Sequence, residues 1–239
     1  MSVRKMLVAL IILLTGTYTS AFIGTGRGTK RTNMADVLVN MNILSEFSNV
    51  LSGVRCVDLC LQNEACVSVF YRRQHRRCQL HDVLFMSPQD GEQETGTVYY
   101  SVTTGDCPSG YVHNRLLNFC YQLHQERMTY DKGLADCKSR GEHFVVIDSE
   151  DKLNHVVKQI NSSLDTGPCN YYIDGSDAAN EGNWVFHDGR KMTYFPWAPD
   201  YPRGDKKRDY LMAGSDYNFR WLNAIRGKYK HCYICGRDV

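Results

Sequence analysis

Ten cysteines constrain this 239-residue chain more than any other feature: Cys56, Cys60, Cys66 and Cys78, then Cys107, Cys120, Cys137, Cys169, Cys232 and Cys235. Paired thiols persist in an oxidising compartment, so their number acquires meaning only in an exported chain. The amino terminus supplies that condition. Arg4 and Lys5 precede an apolar run from Met6 to Leu14, and small polar residues lead to Thr19-Ser20-Ala21, so residues 1–21 read as a cleaved signal peptide. The competing reading is an uncleaved anchor, but a span needs about 20 apolar residues, and Thr15, Gly16 and Thr17 interrupt the run well before that. The chain is therefore expected to be secreted and extracellular, with no membrane span after cleavage. The division into four and six cysteines leaves three connectivities for the first group and fifteen for the second, and it points to two domains. Cys232 and Cys235 also have the CxxC spacing of a zinc ligand pair, but no second CxxC accompanies them, so structural disulfides are preferred.

Hydrophobic content of 43% and charged content of 23% fit a soluble globular chain, and a net charge of +2 argues for neither nucleic acid nor a membrane surface. Residues 22–33 (FIGTGRGTKRTN) are rich in glycine, threonine and basic side chains, and are expected to be a flexible, poorly ordered lead-in. The first module spans residues 34–102. Cys56 and Cys60 stand four apart on one face of a short helix over Val54 to Glu64, Cys66 to Tyr71 alternates like a strand, and Cys78-Gln79-Leu80 begins a second one. Arg72, Arg73, His75, Arg76 and Arg77 lie between these strands. They read either as a solvated hairpin turn or as a patch for sulfated glycan or another polyanion. A short connector, residues 103–106, separates this module from the second.

The pattern CxxxCxxxxxCxSxFY with a downstream CxL resembles the PAN/apple family, a small α+β module whose helix is stapled to its sheet by two bridges. The resemblance implies the pairs Cys60–Cys66 and Cys56–Cys78.

In residues 107–239, two short strands flank the turn between Cys107 and Cys120. Helical spacing runs from Thr129 to Arg140 until Gly141 stops it, and His143 to Ile147 reads as a strand. A second helix follows from Ser149 to Ile160, with Ser149 as cap and Glu150 and Asp151 in its first turn. Asn161-Ser162-Ser163 is a glycosylation sequon, which marks the expected product as a glycoprotein. Tyr171, Tyr172 and Ile173 favour a buried strand ended by Asp174-Gly175; Asn183 to Phe186 forms another, with Trp184 and Phe186 on one face, and it stops at His187-Asp188-Gly189. A third aromatic run, Met192 to Trp197, leads into a segment broken by Pro199 and Pro202.

This order of paired cysteines, helix, GEHFVVIDS, helix, YYIDG, EGNWVFHDG, tryptophan, proline-containing loop, Trp-Leu-Asn and terminal YICG resembles a C-type lectin-like domain of the long form. The implied fold is α+β and disulfide-rich, with two helices, two small antiparallel sheets and a long loop region. The resemblance implies Cys107–Cys120 and Cys137–Cys235. The family's usual inner cysteine is missing, Tyr210 lies about where it should be, and the remaining Cys169 and Cys232 are expected to pair with each other.

In that family, sugar is held through calcium by an acidic or amide residue on each side of a cis-proline and by an Asn-Asp pair after a tryptophan. The corresponding residues are Tyr201-Pro202-Arg203 and Trp221-Leu222-Asn223. Calcium wants six to eight oxygens. Tyrosine, arginine and leucine do not supply them, and Arg203 would add a positive charge where the metal should sit, so no metal or other cofactor is expected there. Asp174, Asp177 and Glu181 would be the source of a second calcium site, but turn capping accounts for them more simply. In place of the metal, the loop is basic: Arg203, Lys206, Lys207 and Arg208, with Arg220, Arg226, Lys228 and Lys230 after the tryptophan segment. Tyr201, Arg203, Asp205, Lys206, Lys207, Arg208, Arg220, Asn223 and Arg226 are accordingly the candidate ligand-binding residues, and Arg72, Arg73, Arg76 and Arg77 a second basic patch. His143 and His187 fall in no recognisable nucleophile, acid-base or HExxH arrangement. The expected function is non-enzymatic recognition of anionic glycans without calcium, in a lectin or innate-immune role. The alternative is an extracellular protein-interaction or structural role without glycan binding. Extracellular glycans, acidic polyanions or protein partners are the expected ligands, and nucleic acid is not among them.

Overall fold

The computed structural model of the chain describes residues 26–88, 91–163, 167–204 and 207–239. The expected signal peptide and the loop residues Asp205 and Lys206 lie outside the described residues. The amino-terminal half is built from β1 (Gly26–Lys30), β2 (Val37–Leu38), β3 (Ile43–Phe47), α1 (Gly53–Leu61), β4 (Ser68–Arg72), β5 (Arg77–His81), β6 (Glu92–Gln93) and β7 (Thr97–Thr104). Its main sheet has the order β1-β7-β4-β5-β3 and is antiparallel throughout, while β2 and β6 pair separately. Ser52 starts α1 by accepting a hydrogen bond from the Arg55 backbone N–H at 3.2 Å. A helix of nine residues is too short to persist alone. Cys56 and Cys60, both fully buried, fix it: Cys56–Cys78 ties it to β5 and Cys60–Cys66 to the approach to β4.

The lead-in is not flexible over its described part. Gly26–Lys30 pairs along its whole length with β7, from Gly26 opposite Thr104 to Lys30 opposite Tyr100. Its glycines are a packing requirement rather than a source of looseness. A Cβ at Gly28 would run into Val57, and one at Gly26 into Leu61, both on α1. The connector is also shorter than expected, because Thr103 and Thr104 complete β7 and only Gly105, at φ 57°, and Asp106 turn the chain.

The second half contains β8 (Val112–Asn114), β9 (Phe119–Met128), α2 (Tyr130–Ser139), β10 (His143–Phe144), α3 (Glu150–Asn161), β11 (Tyr171–Ser176), β12 (Tyr210–Ala213), β13 (Trp221–Ala224) and β14 (His231–Arg237). Ser149 caps α3 by accepting from the Lys152 N–H, and Glu150 and Asp151 occupy the first turn, where the helix dipole favours them. The two antiparallel sheets anticipated from the sequence are continuous. One sheet runs β13-β12-β11-β14-β9-β8, with β10 on β14, because Tyr171 and Tyr172 pair in parallel with Cys232 and Tyr233. The expected strand over Asn183 to Phe186 reduces to an isolated bridge at Val185, opposite Ser176 and Lys191. Positive-φ turns at Gly182 and Gly189 leave no room for a longer ladder, yet Trp184 and Phe186 are both buried as the alternation requires. Cys107–Cys120, Cys137–Cys235 and Cys169–Cys232 complete five disulfides.

The two halves share one core. Met34, Phe70, Leu84 and Phe85 belong to the same buried cluster as Tyr121, Leu153, Val156, Ile160 and Trp221. Polar groups lock the seam between them. Gln159 on α3 donates to the Leu84 carbonyl and accepts from the Leu84 N–H, each at 2.7 Å. Arg115 donates to the carbonyls of Cys60 and Asn63 at 2.8 and 2.7 Å, and Lys158 pairs with Asp82 at 2.5 Å. The buried histidines His81, His113 and His155 sit along this seam, and desolvation lowers each to about 4. No helix among the described residues is long and apolar enough to cross a membrane.

Candidate functional site

The long loop is anchored where it leaves the core. Trp197 bridges to Trp221 on β13; the Ala198 N–H bonds the Trp221 carbonyl at 2.9 Å, and the Trp221 N–H bonds that of Pro196 at 2.9 Å. Trp184, Trp197 and Trp221 pack edge to face, so the tryptophans form the floor beneath the loop rather than a stacking platform on it. Beyond them the chain turns at Asp200, with φ 64°, and passes through a cis peptide bond between Tyr201 and Pro202.

Asn223, on β13, reaches this turn. Its side-chain oxygen accepts from the Arg203 N–H at 2.8 Å and its amide donates to the Arg203 carbonyl at 2.8 Å. Asn223 is buried, and the Arg203 N–H engages one of the two lone pairs on its side-chain oxygen. Leu222 beside it is buried in a cluster with Tyr130, Tyr172 and Ala198. The Arg203 guanidinium lies over the Tyr201 ring at 4.6 Å, and Tyr201 packs edge to face against Tyr217. At the positions where the family resemblance puts metal ligands, the structure has a reciprocal amide–backbone pair with an arginine beside it.

The loop from Tyr201 and the strand from Trp221 meet at this amide, and Arg226 joins them. Its guanidinium pairs with Asp131 of α2 at 2.6 Å, lies over the Tyr210 ring at 5.7 Å and donates to the Tyr210 hydroxyl at 3.4 Å. Asp131 was invisible as a partner in the sequence because 95 residues separate it from Arg226. Lys207 is exposed and Arg208 half-buried on the same loop. Arg220 is set apart. Trp221 opposes Ala213 and Ala224 opposes Tyr210 in the β12–β13 ladder, so Arg220 emerges at the far end from Arg226. Among the described candidate cations, Arg203 and Arg226 thus lie over tyrosines of the loop and β12, Lys207 and Arg208 follow on the same loop, and Arg220 stands at the opposite end of β13 from Arg226.

Two of the four arginines of the second basic patch are paired with glutamates. Arg72 pairs with Glu94 at 2.7 Å, Arg77 with Glu46 at 2.9 Å, and His75 approaches Glu94 at 3.7 Å. Arg73 and Arg76 remain exposed at the turn. Of the acidic residues weighed as a second calcium source, Asp174 is buried and accepts from the His187 backbone N–H at 2.9 Å and its ring at 2.8 Å, while Asp177 accepts from the Gly182 N–H at 2.9 Å. Both act as turn caps. Burial pushes the Asp174 carboxyl up, against the His187 bonds that pull it down. Asn161 is exposed at the end of α3, whereas the Ser163 hydroxyl of its sequon is buried and donates to the Gln159 carbonyl at 2.9 Å.

Comparison with known proteins bears on the second half of the chain. The Lectin C-type domain model matches residues 126–237. A galactose-specific lectin, nattectin of Thalassophryne nattereri, is 26% identical over 136 residues, 57% of this chain and 83% of that protein. An alpha-N-acetylgalactosamine-specific lectin of Patiria pectinifera is 27% identical over 122 residues, 48% of this chain and 72% of that protein. Among solved structures, human lithostathine superposes with a TM-score of 0.50 at 20% identity, covering 56% of this chain and 100% of that one, which shows a shared fold.

Proposed function

We propose that this chain, through the C-type lectin-like domain of residues 126–237, is a secreted, non-enzymatic recognition protein that binds anionic carbohydrate without calcium. Similarity to lectins named for galactose and N-acetylgalactosamine supports carbohydrate as the ligand class. The observation that carries the rest is the closed pair between Asn223 and the Arg203 backbone, with the Arg203 guanidinium held over Tyr201. It occupies with hydrogen bonds and a positive charge the region where a calcium ion would need several oxygens. The Arg203 guanidinium over Tyr201 then offers a cation on an aromatic face, with Arg226 over Tyr210 and paired with Asp131 beyond it, an arrangement suited to sulfate or carboxylate groups on a sugar. The amino-terminal half, with its helix stapled to a five-stranded sheet by Cys56–Cys78, fits the PAN/apple-like reading and would serve as a docking module.

A glycan array probed with the full chain, in calcium and again in excess chelator, tests this. The expected result is binding to sulfated or uronic-acid glycans that chelator leaves unchanged. Binding abolished by chelator would overturn calcium independence, and a blank array would favour the protein-interaction alternative, which the partly paired Arg72–Arg77 hairpin leaves standing.

A further inference from the structure

Away from the long loop, the fold brings together three residues that are distant in sequence. His143 opens β10, His187 sits in the turn after Phe186, and Asp238 follows β14. The two imidazoles stack with centroids 3.8 Å apart and planes 16° apart. The His143 Nε2 lies 3.4 Å from an Asp238 carboxylate oxygen, and one potential ligand atom from each of the three residues lies within 4.8 Å of the others.

The hydrogen bonds around the pair set both rings in one state. His187 donates its Nδ1–H to Asp174 at 2.8 Å, and His143 donates its Nδ1–H to the Phe144 carbonyl at 2.7 Å. Each ring therefore carries its free lone pair on Nε2. The His143 Nε2 is buried and has no hydrogen-bond partner, a costly arrangement for a polar atom unless something else uses its lone pair. A carboxylate behind one imidazole and a carbonyl behind the other are the outer partners that metal-binding histidines use to fix tautomer and ring orientation. The cations nearby have closer partners than Asp238: Lys152 pairs with Asp148 at 2.9 Å, Arg190 with Asp188 at 2.5 Å while also feeling the Asp238 charge, and Arg237 donates to the Asp106 and Arg140 carbonyls. A cleft of about 260 Å³, lined by His143, Asp148, Lys152, Arg190 and Asp238 among others, opens the site to solvent.

We propose that His143, His187 and Asp238 form a zinc-binding site, with Asp174 as the positioning residue behind His187. Two imidazole nitrogens and one carboxylate are a borderline donor set that suits zinc, whereas calcium and magnesium require oxygens. Ligand atoms in a tetrahedral zinc site stand about 3.4 Å apart, as follows from bonds of about 2.1 Å. The Asp238 oxygen already stands at that distance from the His143 Nε2, and its side chain is 91% exposed, so closure falls to the imidazoles: each lone pair lies in its own ring plane, and the two rings must open from their stacked arrangement to converge on one ion. Three protein ligands leave a fourth position for water or for a donor group on a bound molecule.

Isothermal titration of the full chain, stripped of metal, with zinc chloride tests the site. One zinc per chain in the micromolar range or tighter is expected, with no response to calcium or magnesium at this site, and cobalt should give the visible absorption of a tetrahedral complex. His187→Gln should weaken zinc more than roughly 100-fold and Asp174→Asn roughly 10-fold, the scale on which loss of an outer partner acts. His143→Ala serves as the second ligand variant, and metal-free melting curves check that each variant folds. Absence of saturable zinc binding by the wild-type chain, or binding unaltered in both folded histidine variants, would overturn the proposal.

Discussion

Two amide side chains do the same thing in two places. Gln159 exchanges a pair of 2.7 Å hydrogen bonds with the backbone of Leu84 at the seam, and Asn223 exchanges a pair of 2.8 Å bonds with the backbone of Arg203 at the rim of the long loop. Their surroundings are opposite. The seam clamp is flanked by apolar side chains and by histidines that burial holds neutral, so it joins the two halves of the chain. The rim clamp is flanked by Arg203 and Arg226, so it stiffens a loop whose charges face outward. A polar group at a buried joint contributes by matching its partner; the same group at a rim contributes by fixing where its neighbours point.

Acid should separate the two regions most sharply. His81, His113 and His155 have folded values near 4, below the unfolded value near 6.5, so between these limits the unfolded state binds more protons. Their contribution is fully present above about pH 6.5 and is lost as pH falls toward 4. Urea midpoints measured from pH 7 to pH 4 should fall steeply; a flat profile would mean that the seam is not dry. Gln159→Ala comes next, with an expected loss of about 3 kcal/mol, because two Leu84 groups are left unpaired inside the seam. Asn223→Ala should cost less, about 1–2 kcal/mol, since water can reach the freed backbone of Arg203, which is exposed. Equal losses at the two positions would erase the distinction drawn above. Arg203→Ala with Arg226→Ala should leave thermal stability nearly unchanged and weaken anionic glycan roughly tenfold, equivalent to about 1.4 kcal/mol. The smallest effect belongs to the hairpin: changing Arg72, Arg73, Arg76 and Arg77 to alanine should shift heparin retention by less than about twofold, since Glu46 and Glu94 already engage two of the four.

The legible parts of this molecule were those carried by local spacing or by a cysteine. Cys56 and Cys60 four apart put two thiols on one helical face, and Ser149 ahead of Glu150 and Asp151 marked the start of α3. The seam was illegible because Gln159, His81 and His155 look like ordinary surface residues until the facing half of the chain arrives. β1 was misread because its glycines signal looseness in isolation, and only the approach of Val57 and Leu61 explains them. At the rim, Tyr201, Arg203 and Leu222, on which the expectation of no calcium rests, were readable residue by residue. The pairing of Arg226 with Asp131 and the separation of Arg220 depend on strand register and could not be read in advance. The histidine pair was missed for the same reason: nothing near His143 in sequence announces His187 or Asp238.

The position of β14 has a consequence for how the molecule is made. It lies between β11 and β9 and also carries β10, so the middle of the larger sheet is its last strand to leave the ribosome. The amino-terminal sheet has all its strands by Thr104 and can assemble while synthesis continues. The larger sheet cannot: until residues 231–237 emerge, β9 and β11 have no partner between them, and Cys137 and Cys169 wait as free thiols for Cys235 and Cys232. The second half therefore completes its sheet only once residues 231–237 have emerged, and it needs oxidant at that point to close its long-range disulfides.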